Sequence, residues 1–177
     1  MREKLKEILK EKSVITGREF KLASGKTSDF YVDARITTLH PEGAYLIGKI
    51  FLEMMDGMEI DSVGGYSIGA DPIVASISLL SFIKGEPVPA FIMRKEEKSH
   101  GTGKLIEGNF EDGHRVVIFD DVVTSGGSIL KGAKQVEDRN GKILSVMAVI
   151  DREDGGREKI ESAGYKFQSI FTKKDLL

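Results

Sequence analysis

Val116, Val117, Ile118 and Phe119 follow one another with no polar residue between them, and no other stretch limits the fold as much. A strand with one wet face alternates apolar and polar residues. A strand that is apolar at every position has to be covered on both faces, as in a parallel sheet layered between helices. The rest of the chain supplies the layers. Pro41 suits a first helical position, and Ala44, Leu46, Ile47, Ile50, Phe51 and Met54 recur at helical spacing as far as Gly57. Strands expected at 62–66, 89–93, 115–119, 143–150 and 165–171 alternate with helices at 41–57, 72–83, 126–137 and 158–163. That order implies parallel pairing through right-handed crossovers. The expected fold class is therefore α/β, an open and mostly parallel sheet of about five strands flanked by helices.

Two segments break the alternation. Residues 14–35, which include FKLASGKTSDFYVD, look like extended segments around a Ser-Gly turn and are expected to form a small N-terminal flap or hood over the sheet. Residues 95–109 mix charges with glycine, threonine and serine breakers and show little periodicity, so a long exposed loop is expected there. Loops of that length inside a compact domain are usually functional. Over 177 residues there is no internal repeat and no Pro/Gly/Ser linker, and one domain spanning 1–177 is expected. The N-terminal MREKLKEILKEK reads as an amphipathic helix without the apolar core of a signal peptide. The longest apolar stretch, 73–83, is about half of the roughly 20 residues that a membrane span needs.

Charge and cysteine content narrow the partners. With 26 basic and 28 acidic residues the net charge is −2, which gives no general field for nucleic acid or an anionic membrane. Any anion site has to be local. The absence of cysteine excludes disulfides and thiolate zinc sites and suits the cytoplasm. His40 and His114 have no metal partner at ligand spacing; both are expected at the surface, and no protein metal site is expected.

The local site lies at the carboxyl end of the apolar run, where ligands of open α/β sheets bind. Asp120 and Asp121 repel one another there, and the repulsion calls for ribose hydroxyls or a hydrated magnesium ion as partner. Thr124-Ser125-Gly126-Gly127-Ser128 follows at once. Its glycines let backbone N–H groups approach an anion, and its hydroxyls add donors at a helix N-terminus. The pattern is neither a P-loop nor a GxGxxG dinucleotide turn. A phosphate monoester beside a polyhydroxylated group fits it better.

The whole run VVIFDDVVTSGGS at 116–128 resembles the 5-phosphoribosyl 1-diphosphate (PRPP) motif of the type I phosphoribosyltransferases. The resemblance implies that Asp120, Asp121, Val122, Val123, Thr124, Ser125, Gly126, Gly127 and Ser128 contact PRPP, with the loop on the 5-phosphate and the acidic pair on the ribose hydroxyls. Three further segments look like orotate phosphoribosyltransferases. RKEEKSHG at 94–101 is similar to their mobile catalytic loop, 20–33 to their N-terminal SGxxSxxY segment, and DREDG at 151–155 to their DRxxG segment.

The implied roles make chemical sense. A diphosphate leaving group carries roughly three negative charges that must be neutralised as its bond to C1 breaks, and Arg94, Lys95, Lys98 and His100 supply donors, the last three as the catalytic set. Arg152 can grip the orotate carboxylate through two parallel hydrogen bonds, and Thr124 is placed to touch the base from the phosphate side. Tyr31 is a candidate to stack on the pyrimidine. The family also implies Mg2+, carried mainly by PRPP, and a homodimer in which the loop acts in trans on the neighbouring active site. Two departures stand out: many members have a lysine where Ala23 stands and another within 66–72, and this chain has neither. The alternatives are a phosphoribosyltransferase for another base and a PRPP-sensing regulatory protein on the same fold. A regulator would be expected to carry a basic face or a DNA-binding motif.

Overall fold

A computed structural model of the chain describes residues 1–21, 27–96 and 104–177. The elements run α1 (Arg2–Lys12), β1 (Val14–Lys21), β2 (Thr27–Val32), α2 (Ala34–Thr38), α3 (Pro41–Met54), β3 (Ser62–Tyr66), α4 (Asp71–Lys84), β4 (Ala90–Met93), β5 (Ile106–Gly108), β6 (Arg115–Val123), α5 (Gly127–Glu137), β7 (Lys142–Asp151), α6 (Gly156–Ser162), β8 (Phe167–Thr172) and α7 (Lys173–Leu176). Among the described residues no helix is long and apolar enough to cross a membrane.

The main sheet has the strand order β5-β4-β3-β6-β7-β8. The five strands expected from the sequence are its parallel members, with β6 near the centre. The sixth, β5, falls within the stretch expected to be loop and pairs antiparallel with β4, Met93 opposite Ile106 and Phe91 opposite Gly108. Its cause is plain: Ile106 is buried beside Phe91 and Met93, and the short strand covers an edge whose N–H and C=O groups would otherwise be unpaired.

The apolar run of β6 is covered on both faces, as its composition requires. Val117 and Phe119 belong to a cluster with Leu5 of α1, Ile47 and Phe51 of α3 and Ile73 of α4. Val116 and Ile118 belong to the opposite cluster with Ile129, Ala133 and Val136 of α5. All four are fully buried, and at roughly 1.5–3 kcal/mol for each large side chain removed from water they fix the centre of the sheet firmly. Whatever is attached to the end of β6 is therefore held on a rigid support.

The hood is present as β1 and β2, an antiparallel pair separate from the main sheet, with a bulge between Thr16 and Phe20. The expected Ser-Gly turn, and Ala23 with it, lies outside the described residues. α2 and α7 were not expected. At five and four residues they are too short to show helical periodicity and are set by caps: Asp33 accepts from the Arg35 N–H, and Thr172 and Asp175 form a capping box.

Candidate active site

Strand lengths create the site. β3 stays paired with β6 only as far as Gly65 opposite Phe119, whereas β6 and β7 run on together to Val123 opposite Asp151. The expected end of this strand at Phe119 is thus corrected to Val123, because β7 goes on supplying hydrogen bonds. Asp120 and Asp121 project beyond β3, over the connection from β3 to α4. Here a cavity of about 1120 Å³ opens, with β2 and α2, the 67–69 connection, the end of β4 and the ends of β6 and β7 around it.

Side chains alternate along a strand, and the two carboxylates meet different neighbours while staying close enough to interact with each other. Asp120 is buried, on the side of Tyr66 and Lys95. Asp121 lies against the backbone of Gly69, where a Cβ would run into its carboxylate. Each accepts one hydrogen bond from the next backbone N–H, Asp121 N to Asp120 Oδ1 at 3.0 Å and Val122 N to Asp121 Oδ1 at 2.8 Å. Burial pushes both carboxyl groups up, and for Asp120 the neighbouring Asp121 adds to it. No ion pair with either is present among the described residues. This is an acidic site held ready for hydroxyl donors or a cation.

The phosphate loop joins the same strand to α5. The helix is capped by Gly126, at φ 71° and with no side-chain cap bond, so neither Thr124 nor Ser125 is spent as its cap. Among the described residues the hydroxyls of Thr124, Ser125 and Ser128 make no hydrogen bond. They stand around the free N–H groups of the first turn, an arrangement suited to an anion. The left-handed conformation at Gly126 requires glycine. The loop also packs on the start of α6, where a Cβ at Gly156 would meet Thr124 O at 2.6 Å. That second glycine was visible in DREDGG, but its role depends on the tertiary contact.

Arg152 closes the wall at the end of β7. A surface Asp-Arg pair is the commoner meaning of its sequence context, yet it is 5% exposed. Its Nη2 donates to Phe30 O at 3.4 Å. Its Nε lies 3.4 Å from Asp154 Oδ2, an ion pair whose geometry gives no hydrogen bond, so the buried N–H has no acceptor. Phe30 is fully buried below the guanidinium, 5.9 Å from ring centre to Cζ, and Tyr31 lines the cavity while stacking on Phe20 at 5.1 Å.

Of the cationic segment, Arg94 and Lys95 line the cavity of their own chain; Lys98 and His100 lie outside the described residues. Arg94 is tethered on both sides, its N–H donating to Leu105 O at 2.8 Å and its carbonyl accepting from Gln135 Nε2 at 2.8 Å. Its Nη1 lies 3.9 Å from Glu107 Oε1, while its buried Nε has no hydrogen-bond partner. Gln135 and Glu107 escape sequence reading because nothing local marks them. His40 caps α3 without a side-chain cap bond. His114, expected at the surface, is half-buried, its Nδ1 3.1 Å from Ser62 Oγ at the opposite end of the sheet.

No group of three or more histidines, cysteines or carboxylates converges among the described residues. The two carboxylates of β6 suit a magnesium ion that takes most of its oxygens from a diphosphate and water, the usual habit of that ion.

Known proteins place this geometry. Residues 70–171 match the family described as the phosphoribosyl transferase domain. The orotate phosphoribosyltransferase of Aquifex aeolicus is 43% identical over 99% of this chain and 97% of its own, and that of Nostoc is 40% identical over 99% and 85%. Among solved structures, the Mycobacterium tuberculosis orotate phosphoribosyltransferase in complex with Fe(III) dicitrate superposes with a TM-score of 0.86 at 37% identity, covering 99% of this chain and 98% of that one. The same enzyme in complex with PRPP gives 0.83 at 34% identity, with coverages of 99% and 98%.

Proposed function

The chain belongs to the orotate phosphoribosyltransferases, and from that premise we propose which of its residues carry the reaction. The enzyme transfers the 5-phosphoribosyl group from PRPP to orotate, giving orotidine 5′-monophosphate and diphosphate in pyrimidine nucleotide synthesis. A ring nitrogen of orotate bonds to C1 as the C1–oxygen bond breaks, and the diphosphate leaves with the electron pair. The nucleophile comes with the substrate, so the protein's task is to position both partners and to stabilise the departing charge.

Residues 124–128 hold the 5-phosphate, through the first turn of α5 and the hydroxyls of Thr124, Ser125 and Ser128. Asp120 and Asp121 accept from the ribose hydroxyls, which removes the cost of a buried and a half-buried carboxylate left without an ion pair. Val122 and Val123 contribute backbone to the same cradle. Arg152 grips the orotate carboxylate, with Thr124 on the other side of the base. The observation that carries this reading is the buried Arg152 N–H without an acceptor beside the cavity, since such a donor costs about 1–3 kcal/mol until a ligand satisfies it. Arg94, Lys95, Lys98 and His100 attend the diphosphate, Lys95, Lys98 and His100 as the catalytic set. Magnesium, when bound with PRPP, neutralises part of the diphosphate charge.

The chain acts as one domain over 1–177, in the cytoplasm, and as a homodimer. In support of a second copy, Leu79, Phe82 and Ile83 of α4 are exposed at 62%, 72% and 69%. They recur at helical spacing on one face, an apolar patch of the kind that marks an interface. Because Lys95 lines the cavity of its own chain, the trans assignment narrows to Lys98 and His100. Mixing a K98A chain with a D120N chain restores part of the activity if the loop crosses between subunits; no recovery sinks that assignment.

The decisive assay is loss of orotate absorbance dependent on PRPP and magnesium, with hypoxanthine, adenine and uracil as controls. Turnover of one of the controls in place of orotate overturns the base assignment.

A further inference from the structure

The cavity has one wall without a catalytic assignment, and that wall holds an ordered cation. Arg35, in the first turn of α2, lines the cavity together with Ser67 and Gly69. Its guanidinium is gripped by Asp33, Nε to Oδ1 at 2.9 Å and Nη2 to Oδ2 at 3.0 Å. Both bonds use one edge of the guanidinium. Nη1 makes no hydrogen bond among the described residues, and the side chain is 49% exposed, so the remaining edge is open.

The geometry of the ligand decides what that edge meets. In a ribose 5-phosphate carrying a 1-diphosphate, the two charged groups leave from opposite ends of the sugar, with the hydroxyls between. Here 124–128 takes one end and the acidic pair takes the hydroxyls. The other end then falls beyond Asp121, whose carboxylate lies against Gly69 and feels the positive charge of Arg35. The 67–71 connection itself offers no base: it contains Ser67, Ile68, Gly69, Ala70 and Asp71. Ser67 Oγ is already committed to Asp71, at 2.8 and 3.0 Å from its two oxygens. A diphosphate in this corner would otherwise meet mainly backbone and a carboxylate.

We propose that Arg35, pre-set by Asp33, is a diphosphate-binding residue of this enzyme, contacting the leaving group in the cavity that Arg94 and Lys95 also line. The assignment rests on the PRPP reading of the cavity. A guanidinium fixed along one edge loses little freedom when the other edge bonds phosphate oxygens. Asp33 acts through Arg35 and is a positioning residue.

Calorimetric binding of magnesium diphosphate and of magnesium PRPP, beside orotate kinetics, tests this. Arg35→Ala is expected to weaken both ligands at least tenfold and to raise the KM for PRPP similarly, with the KM for orotate within twofold and Tm little changed. Arg35→Lys recovers part of the loss, and Asp33→Asn produces a smaller loss of the same pattern. Ile68→Lys in the Arg35→Ala background is the sharper arm: Ile68 lines the same cavity and is 72% exposed, so a lysine there returns a cation to this corner and restores diphosphate binding. Unchanged diphosphate affinity in Arg35→Ala, or an equal loss for orotate and for stability, overturns the assignment while leaving the function intact. Failure of the unaltered enzyme to bind either ligand would instead remove the reading beneath it.

Discussion

At its amino end β6 begins with Arg115, which bonds Asp61 from Nε and from Nη2 at 3.0 Å each and also reaches Glu59. At its carboxyl end the same strand carries Asp120 and Asp121, neighbours of like charge with no ion-paired partner among the described residues. The first arrangement holds the Asp61 carboxyl well below the usual carboxylate range, through the Arg115 hydrogen bonds. The second pushes Asp120 well above it, through burial and then through Asp121. One strand thus ends in a closed electrostatic circuit on one side and an open one on the other. Residues that serve only the fold are free to satisfy each other, and a ligand site has to leave groups unsatisfied until the ligand arrives. β7 repeats the contrast at closer range. Asp151 bonds Arg157 Nε at 2.9 Å and the Glu153 N–H at 2.9 Å, and the adjacent Arg152 keeps a buried N–H unused.

The contrast breaks first if the open end turns out to be structural. Asp120→Asn or Asp121→Asn is expected to lower kcat/KM by about 10²–10³, the usual scale for losing a preorganised polar contact to the reacting group. Tm of the ligand-free protein should hold or rise, because a buried like-charge repulsion has been removed. A fall in Tm together with activity would mean that the pair supports the fold. Next in size, Arg152→Gln should raise the KM for orotate by about 10–100-fold, since a buried charged donor to a carboxylate contributes on the order of 1.5–3 kcal/mol. PRPP binding should move little. Arg157→Gln, which opens the closed partner, should lower Tm and spare kcat.

The pH dependence of stability sharpens the comparison, because the two ends of β6 have opposite signs. A carboxyl whose folded pKa is raised contributes stability that is fully present below its unfolded value, 3.8 for aspartate, and is lost as pH rises through the folded value. A depressed carboxyl contributes stability that is present above 3.8 and is lost as pH falls through its folded value. Ligand-free Asp120→Asn should therefore exceed the parent in Tm at neutral pH by an amount on the order of 2–4 °C for each kcal/mol of repulsion relieved. The gap should close on acidification. Differential scanning fluorimetry at pH 4 to 8 reads the Asp120 trend, the Asp61 trend requires scans continued below 3.8, and an Asp120→Asn gap that persists at the acid end would contradict the assigned cause.

Much of this was written in the chain, and the reason lies in distance along it. The run from Val116 to Ser128 states its strand, its acidic pair and its phosphate loop within thirteen consecutive residues, because an unbroken apolar run, like-charge adjacency and glycine placement are local signals. The five parallel strands were legible for the same reason. Arg35 was not, since a five-residue helix has no periodicity to read and its value comes from lining the same cavity as Gly69, which is distant in sequence. Gln135 and Glu107, which tether Arg94, are likewise set by tertiary contact. β5 was hidden by its length, and Val123 as the true end of β6 by the reach of its neighbour β7. The burial of Arg152 was set by Phe30, more than a hundred residues earlier.

The smallest expected effect tests the closed end. Arg115→Ala removes the partner of Asp61 and Glu59 on the far side of the sheet from the cavity, and kcat/KM should stay within twofold. Tm should fall slightly at neutral pH, and this deficit should start to shrink only below 3.8 and vanish only as pH falls through the depressed folded value of Asp61, where the folded carboxyl is protonated as well. The neutral-pH deficit should also shrink in high salt, because these groups are exposed and their attraction is screened over about 3 Å at 1 M. The Asp120→Asn difference should resist salt, since Asp120 is buried. Equal salt sensitivity at the two ends would show that burial does not separate them, and the distinction between a closed and an open end of β6 would have to rest on hydrogen bonding alone.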